Sequence, residues 1–140
     1  MYIAVDFDGT CVKHQFPEVG EDIGAVPVLK ELVEAGHKLI LCTMRSHPSE
    51  KTKHASEKGY IATEKDTLQD AVDWFNENGI ELYGVNENPS QKAWTESKKI
   101  YANMYIDDCA LGVPLIADGR GNVFVDWEEV RKLLVIRKVL

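Results

Sequence analysis

Four short apolar runs, each closing on a polar residue, constrain this chain more than any other feature. Residues 2–7 read YIAVDF, β-branched and apolar up to an acid. HKLILCT (37–43), ELYGV (81–85) and NMYIDD (103–108) repeat the pattern. Runs that are nearly all apolar, rather than alternating, fit strands buried on both faces, as in a parallel sheet covered by helices. Helical spacing fills the gaps between them. Val28, Leu29, Leu32 and Val33 repeat within residues 26–35, and Gly36 supplies the stop. Leu68, Ala71, Val72, Trp74 and Phe75 form a second stripe, stopped by Gly79. The alternation predicts an α/β fold: a Rossmann-like three-layer sandwich around a central parallel sheet, joined by right-handed crossovers. A chain of 140 residues fits one domain with one core.

The remaining segments read as follows. Residues 9–20 mix Gly, Pro and polar groups and are expected to form a loop or flap. Residues 45–66 are the longest polar segment, with a partial helix expected and a small lid as their candidate role. LIADGRGNVFVDW predicts a hairpin around Asp118–Asn122. Asp126 with Glu129 predicts a capping box for a last helix through Leu134.

Composition narrows the function. The net charge is −7, and the basic pieces KTKHASEK and SKK are short, so no nucleic-acid footprint is expected. No apolar run is long enough to span a bilayer. MYIAVDFD has no basic n-region and no cleavage site, so the expectation is a cytoplasmic protein without a signal peptide. Three cysteines without a CxxC read as free thiols rather than a disulfide frame or zinc site. Cys11, Cys42 and Cys109 therefore read as small apolar side chains.

The polar residues that carry chemistry fall after the strands. In open parallel sheets, ligands bind outside the carboxyl ends of the strands. Those ends present Asp6, Asp8, Gly9 and Thr10, then Thr43 and Arg45, then Asn86, then Asp107 and Asp108, with Lys98 and Lys99 just before the fourth strand. Carboxylates crowded on one rim repel unless a cation neutralises them. Carboxylates and carbonyls suit a hard cation, and Mg²⁺ is the expected one. Phosphoryl transfer uses such a set: a nucleophile in line with the leaving oxygen, and positive charge on the equatorial oxygens. Asp6 fits the nucleophile. Asp8, two residues on in an extended segment, returns to the same face and fits an acid/base. The amides of the Gly9 turn and the Thr43 hydroxyl can hold phosphate oxygens. Gly9, Met44, Arg45 and Asn86 are the candidates for contact with substrate. His14, His47, Glu87 and Asn88 are further rim residues that could reach it.

VDFDGT at 5–10, LCT at 41–43, a lysine near 99 and YIDD at 105–108 resemble, in order, the four motifs of the haloacid dehalogenase superfamily. The resemblance covers about residues 1–115. It implies Asp6 as nucleophile, Asp8 as acid/base, and catalytic roles for Thr43 and Lys99. It also implies a metal held by Asp6, the backbone carbonyl of Asp8, and Asp107, with Asp108 close or water-linked. Members ending in this way commonly carry the lysine eight residues before the acid pair, which Lys99 meets; Lys98 is adjacent and stays open. Neither site of cap insertion holds enough residues for a domain, so a capless protein with an open site is expected. Capless members act on large or exposed phosphate groups or borrow a neighbouring subunit, so a homo-oligomer is compatible with the reading. The expected function is a Mg²⁺-dependent phosphatase acting through a phosphoaspartate on a small-molecule or exposed phosphomonoester.

Three rival readings compete with this one. A signalling receiver domain also uses an acid pair, a phosphorylated Asp, a Thr and a Lys, but places its pair after the first strand; here the pair comes last. A non-catalytic phosphate- or metal-binding module would keep the fold, yet no obvious part is missing. Dehalogenation or phosphotransfer is disfavoured by Asp8 with the acid pair.

Overall fold

The apolar runs pair as the pattern requires. In a computed structural model that describes residues 1–60 and 63–140, β1 (Tyr2–Val5), β2 (Lys38–Leu41), β3 (Leu82–Val85) and β4 (Met104–Ile106) form one parallel sheet. Its order is β3-β2-β1-β4. Val5 lies beside Leu41 on one side and Ile106 on the other. The next residues out, Asp6, Cys42 and Asp107, therefore share one row beyond the carboxyl ends.

The helices follow from the same economy of burial. α1 (Ala25–Glu34) buries Val28, Leu29 and Leu32. Its first turn is held by Asp22, whose carboxylate accepts from the amides of Gly24, Ala25 and Val26. α2 (Glu50–Glu57) is a short polar helix within the 45–66 segment; residues 61 and 62 of that segment lie outside the described residues. α3 (Thr67–Glu77) is capped by Asp66 and buries Leu68, Ala71, Trp74 and Phe75. The strands advance from β1 to β2 to β3 in one direction, so right-handed crossovers place α1 and α3 on one face. Both feed a core that includes Ile3, Val5, Phe7, Leu39 and Leu41. Phe7 sits at its centre, edge-on to Trp74 with centroids 5.5 Å apart.

The return from β3 to β4 crosses the other face. It contains a 3₁₀ helix, Pro89–Ala93, and an extended run to Asn103. Side chains replace the hydrogen bonds that a helix would have made. Gln91 donates to the carbonyls of Ser97 and Lys99 and accepts from the Tyr101 amide. Asn88 donates to the Tyr101 carbonyl. Tyr101 then packs edge-on against Tyr2 at 5.8 Å.

After β4, β5 (Leu115–Ala117) and β6 (Val123–Val125) form the expected antiparallel hairpin around Asp118–Asn122. α4 (Trp127–Ile136) continues past the expected end at Leu134. Asp126 caps it by accepting from Glu128 and Glu129 amides. The reciprocal half of a capping box is replaced by a Glu129–Lys132 pair at 2.6 Å. This C-terminal unit braces the site: Trp127 Nε1 donates to the Thr10 carbonyl at 2.6 Å, and Val125 N to the Gly9 carbonyl at 2.9 Å. Among the described residues no helix is long and apolar enough to cross a membrane.

Candidate active site

Asp6 stands one residue past β1, its amide bonded to the Ile106 carbonyl at 3.0 Å. That bond continues the ladder, so the Asp6 and Asp107 backbones leave the sheet side by side. The chain then turns sharply. Gly9 sits at φ +80°, a conformation that favours glycine, and its amide donates to the Val12 carbonyl at 2.7 Å. A side chain at this position would collide with the His14 imidazole and the Asp108 carboxylate.

Thr10 ties the acids together. Its buried hydroxyl donates to Asp6 Oδ2 at 3.0 Å and accepts from the Asp108 amide at 2.9 Å. Burial pushes the Asp6 carboxyl up from 3.8 to about 6, and the charges of Asp107 and Asp108 add to the rise. Hydrogen bonds from the Phe7 backbone and the Thr10 hydroxyl oppose it. Asp107 Oδ1 accepts from the Cys109 amide at 2.8 Å. Asp108 Oδ2 meets His14 Nε2 at 2.9 Å.

This donor set fits a hard divalent cation. Asp107 and Asp108 lie together, and their charges add to the rise at Asp6, which is hard to ionise until a positive charge arrives. Asp107, Asp108 and Cys109 each offer a ligand atom within 4.8 Å of one another. The acids also push the Cys109 thiol up, with Asp108 the largest influence, so it is a poor thiolate ligand. Residues that could hold a cation are thus Asp107 and Asp108, with Asp6 in the same row beyond the sheet but outside that 4.8 Å set.

The second strand supplies Thr43. Its hydroxyl accepts from the Arg45 amide at 3.1 Å, and among the described residues its proton is not committed. It can donate to a phosphate oxygen. Asn86, in the left-handed region at φ 51°, accepts from the Thr43 amide at 2.8 Å. Its carbonyl oxygen therefore positions Thr43. Met44 is 98% exposed and available there.

Two expectations are corrected. Arg45 does not reach for substrate: it is 2% exposed and its guanidinium is fully used. Nε and Nη2 each donate to one Asp8 oxygen at 2.7 Å. Nη1 donates to the carbonyls of Pro17 and Thr67, and Nη2 also to that of Glu18. Arginine is tolerated in an interior when paired in this way. Lys99 is not beside Asp6. Its ammonium lies 5.9 Å from the Tyr105 ring centroid, and Tyr105 pairs with Ala4, two rows beneath Asp6 and Asp107. Asp107 and Asp108 are the charged groups that act on Asp6, with no lysine among them. The physical reason is the extended path of residues 94–103, which delivers Lys99 low on the sheet. Lys98 instead shares a cleft of about 350 Å³ with Asn86 and Glu87.

The other rim residues are engaged as well. His47 Nδ1 pairs with Asp66 at 2.8 Å, and Glu87 with Lys92 at 2.9 Å. Asn88 is buried and caps the 3₁₀ helix, so it does not read substrate hydroxyls. The feature that sequence reasoning missed is the Asp8–Arg45 pair. A signal existed: an arginine two residues past a buried strand needs an acid partner, and Asp8 is at the same end of the sheet. The three cysteines are free, as expected.

Neither a family model nor a curated protein sequence matches the chain. A solved structure does: a conserved protein from Bacteroides thetaiotaomicron, 31% identical, with a TM-score of 0.70. The match covers 99% of this chain and 91% of that one.

Proposed function

The chain belongs to the family of that conserved Bacteroides thetaiotaomicron protein, and on the geometry of its own site we propose that it is a Mg²⁺-dependent phosphohydrolase of the haloacid dehalogenase type. The observation that carries the reading is the shared row of Asp6 and Asp107, with a carboxyl at Asp6 that stays protonated up to about pH 6 without a cation. Such an arrangement costs stability that an ion and a phosphate would offset.

Asp6 attacks phosphorus, and the leaving oxygen departs with its electron pair. Water then attacks the phosphoaspartate and returns the Asp6 carboxylate with release of inorganic phosphate. Thr10 fixes the Asp6 rotamer for both steps. The Thr43 hydroxyl and the amides of the Gly9 turn hold phosphate oxygens. Asp8 gives a proton to the leaving oxygen and takes one back from the attacking water. Mg²⁺, when bound, supplies positive charge to the phosphate oxygens and offsets the repulsion among the acids. Open access fits a small-molecule or exposed phosphate. Three free thiols fit a reducing, cytoplasmic setting.

A phosphate-release screen over a metabolite panel with Mg²⁺ tests this. EDTA should silence turnover and Mg²⁺ restore it. Asp6→Asn should abolish turnover, and retained activity would refute the assignment. One observation favours a second reading, a non-catalytic phosphate- or metal-binding module: Lys99 stands off the acid row. Binding of phosphate with Mg²⁺ but no turnover on the whole panel would select it.

A further inference from the structure

A cleft of about 730 Å³ lies between the flap and the β5–β6 hairpin. His14 joins it to the acid row: the residue lines the cleft, and its Nε2 meets Asp108 Oδ2 at 2.9 Å. A group departing from a phosphate held at Asp6 has this cleft beside it. Both walls are held without a ligand. On the flap, the Lys13 amide donates to the Glu21 carbonyl at 2.9 Å, and a side chain at Gly20 would strike the Lys13 carbonyl. On the hairpin, Asp118 accepts from the Arg120 amide at 2.8 Å and from the backbone and side-chain amides of Asn122 at 3.0 Å each.

The lining decides what fits. Small-molecule sites are mostly apolar with a few polar groups; this cleft has no apolar side chain. Its charges balance, Lys13 and Arg120 against Glu21 and Asp118. An apolar leaving group would find nothing to cover it, and a second anionic group would face two carboxylates. The uncommitted groups are mixed. Among the described residues the Gln15 amide and the Arg120 guanidinium make no hydrogen bond. Asn122 uses its nitrogen on Asp118 and keeps its oxygen, and Glu21 keeps Oε1 after Oε2 pairs with Lys13 at 3.2 Å. A hydroxyl is donor and acceptor at once, so neighbouring hydroxyls use both halves of such a set. A carboxylate would use only its donors.

We infer that the leaving group is polyhydroxylated: the substrate is the phosphomonoester of a sugar or sugar alcohol, and Gln15, Glu21, Arg120 and Asn122 bind its hydroxyls. This substrate class rests on the phosphohydrolase reading of the adjoining acids. The test is phosphate release by the full chain with Mg²⁺ from glucose 6-phosphate, ribose 5-phosphate and mannitol 1-phosphate. They are compared with cyclohexylmethyl phosphate, a primary alkyl ester without hydroxyls, with phosphoglycolate, which adds a carboxylate instead, and with p-nitrophenyl phosphate. We expect kcat/KM for the best of the three polyol esters to exceed that of cyclohexylmethyl phosphate and of phosphoglycolate by roughly tenfold or more, the yield of two or three net hydrogen bonds. Turnover of any member without that preference leaves the phosphohydrolase reading standing and overturns this inference. Release from none of the six defeats the phosphohydrolase reading and the inference with it. Gln15→Ala and Arg120→Ala should each lower the preference by roughly three- to tenfold. Both side chains are exposed, and the preference is a ratio that the folded fraction does not change. A preference unchanged in both variants overturns the inference.

Discussion

Replacing Asp6 by Asn should stabilise the metal-free protein while abolishing its activity. The carboxyl ionises near 3.8 in an unfolded chain and at about 6 in the fold. Below about pH 4 it is protonated in both states and contributes nothing. Between pH 4 and 6 the unfolded chain loses the proton and folded Asp6 keeps it, so folding stability falls as pH rises. Above pH 6 the loss is complete. At about 1.4 kcal/mol per pH unit, the interval amounts to at most about 3 kcal/mol. For a chain of this size that is a rise of up to about 10 °C in Tm for Asp6→Asn. The assay is thermal unfolding of both proteins in EDTA from pH 4 to 8. The Tm gap should be near zero at pH 4, open by pH 6 and hold thereafter. Mg²⁺ at pH 7.5 should raise the wild type more than the variant and narrow the gap. A gap that does not change with pH, or a variant less stable than wild type at pH 7.5 in EDTA, would refute the reasoning.

Other variants probe the neighbouring geometry. Thr10→Val keeps the shape but strips the hydroxyl between Asp6 and the Asp108 amide; denaturant titration should show a loss of about 1–3 kcal/mol, with a larger proportional drop in turnover. Gly9→Ala forces a side chain into a left-handed turn packed against His14 and Asp108, and should cost about 1–3 kcal/mol with loss of measurable Mg²⁺ binding by calorimetry. Asp126→Ala removes the α4 cap far from the acids; it should cost about 1 kcal/mol while kcat stays at the wild-type value.

Much of this architecture was legible because burial on both faces leaves few ways to write a strand. YIAV, KLIL and LYGV become β1, β2 and β3, and the acids that follow β1 and β4 land in one row because parallel strands carry their C-termini together. The hairpin at Asp118–Asn122 and the Asp126 cap are local, and local chemistry reads directly from sequence. Arg45 was not legible as an interior residue. Its neighbours, RSHPSE, are polar, and the partners that bury it come from 28 and 37 residues earlier in the chain. Lys99 failed for a related reason. Its count of eight residues before Asp107 matches the motif spacing, yet Asn88 and Gln91 staple that stretch in an extended path. Side-chain hydrogen bonds set that path, and hydrophobic periodicity carries no trace of them.

The central claim is that Asp6 takes the phosphoryl group. Acid-quenching the protein during turnover of phosphate-labelled acetyl phosphate with Mg²⁺, followed by peptide mapping, tests it most directly. Label should appear on the peptide that contains Asp6 and be missing from Asp6→Asn. Label on another residue, or turnover that survives in Asp6→Asn, would contradict it.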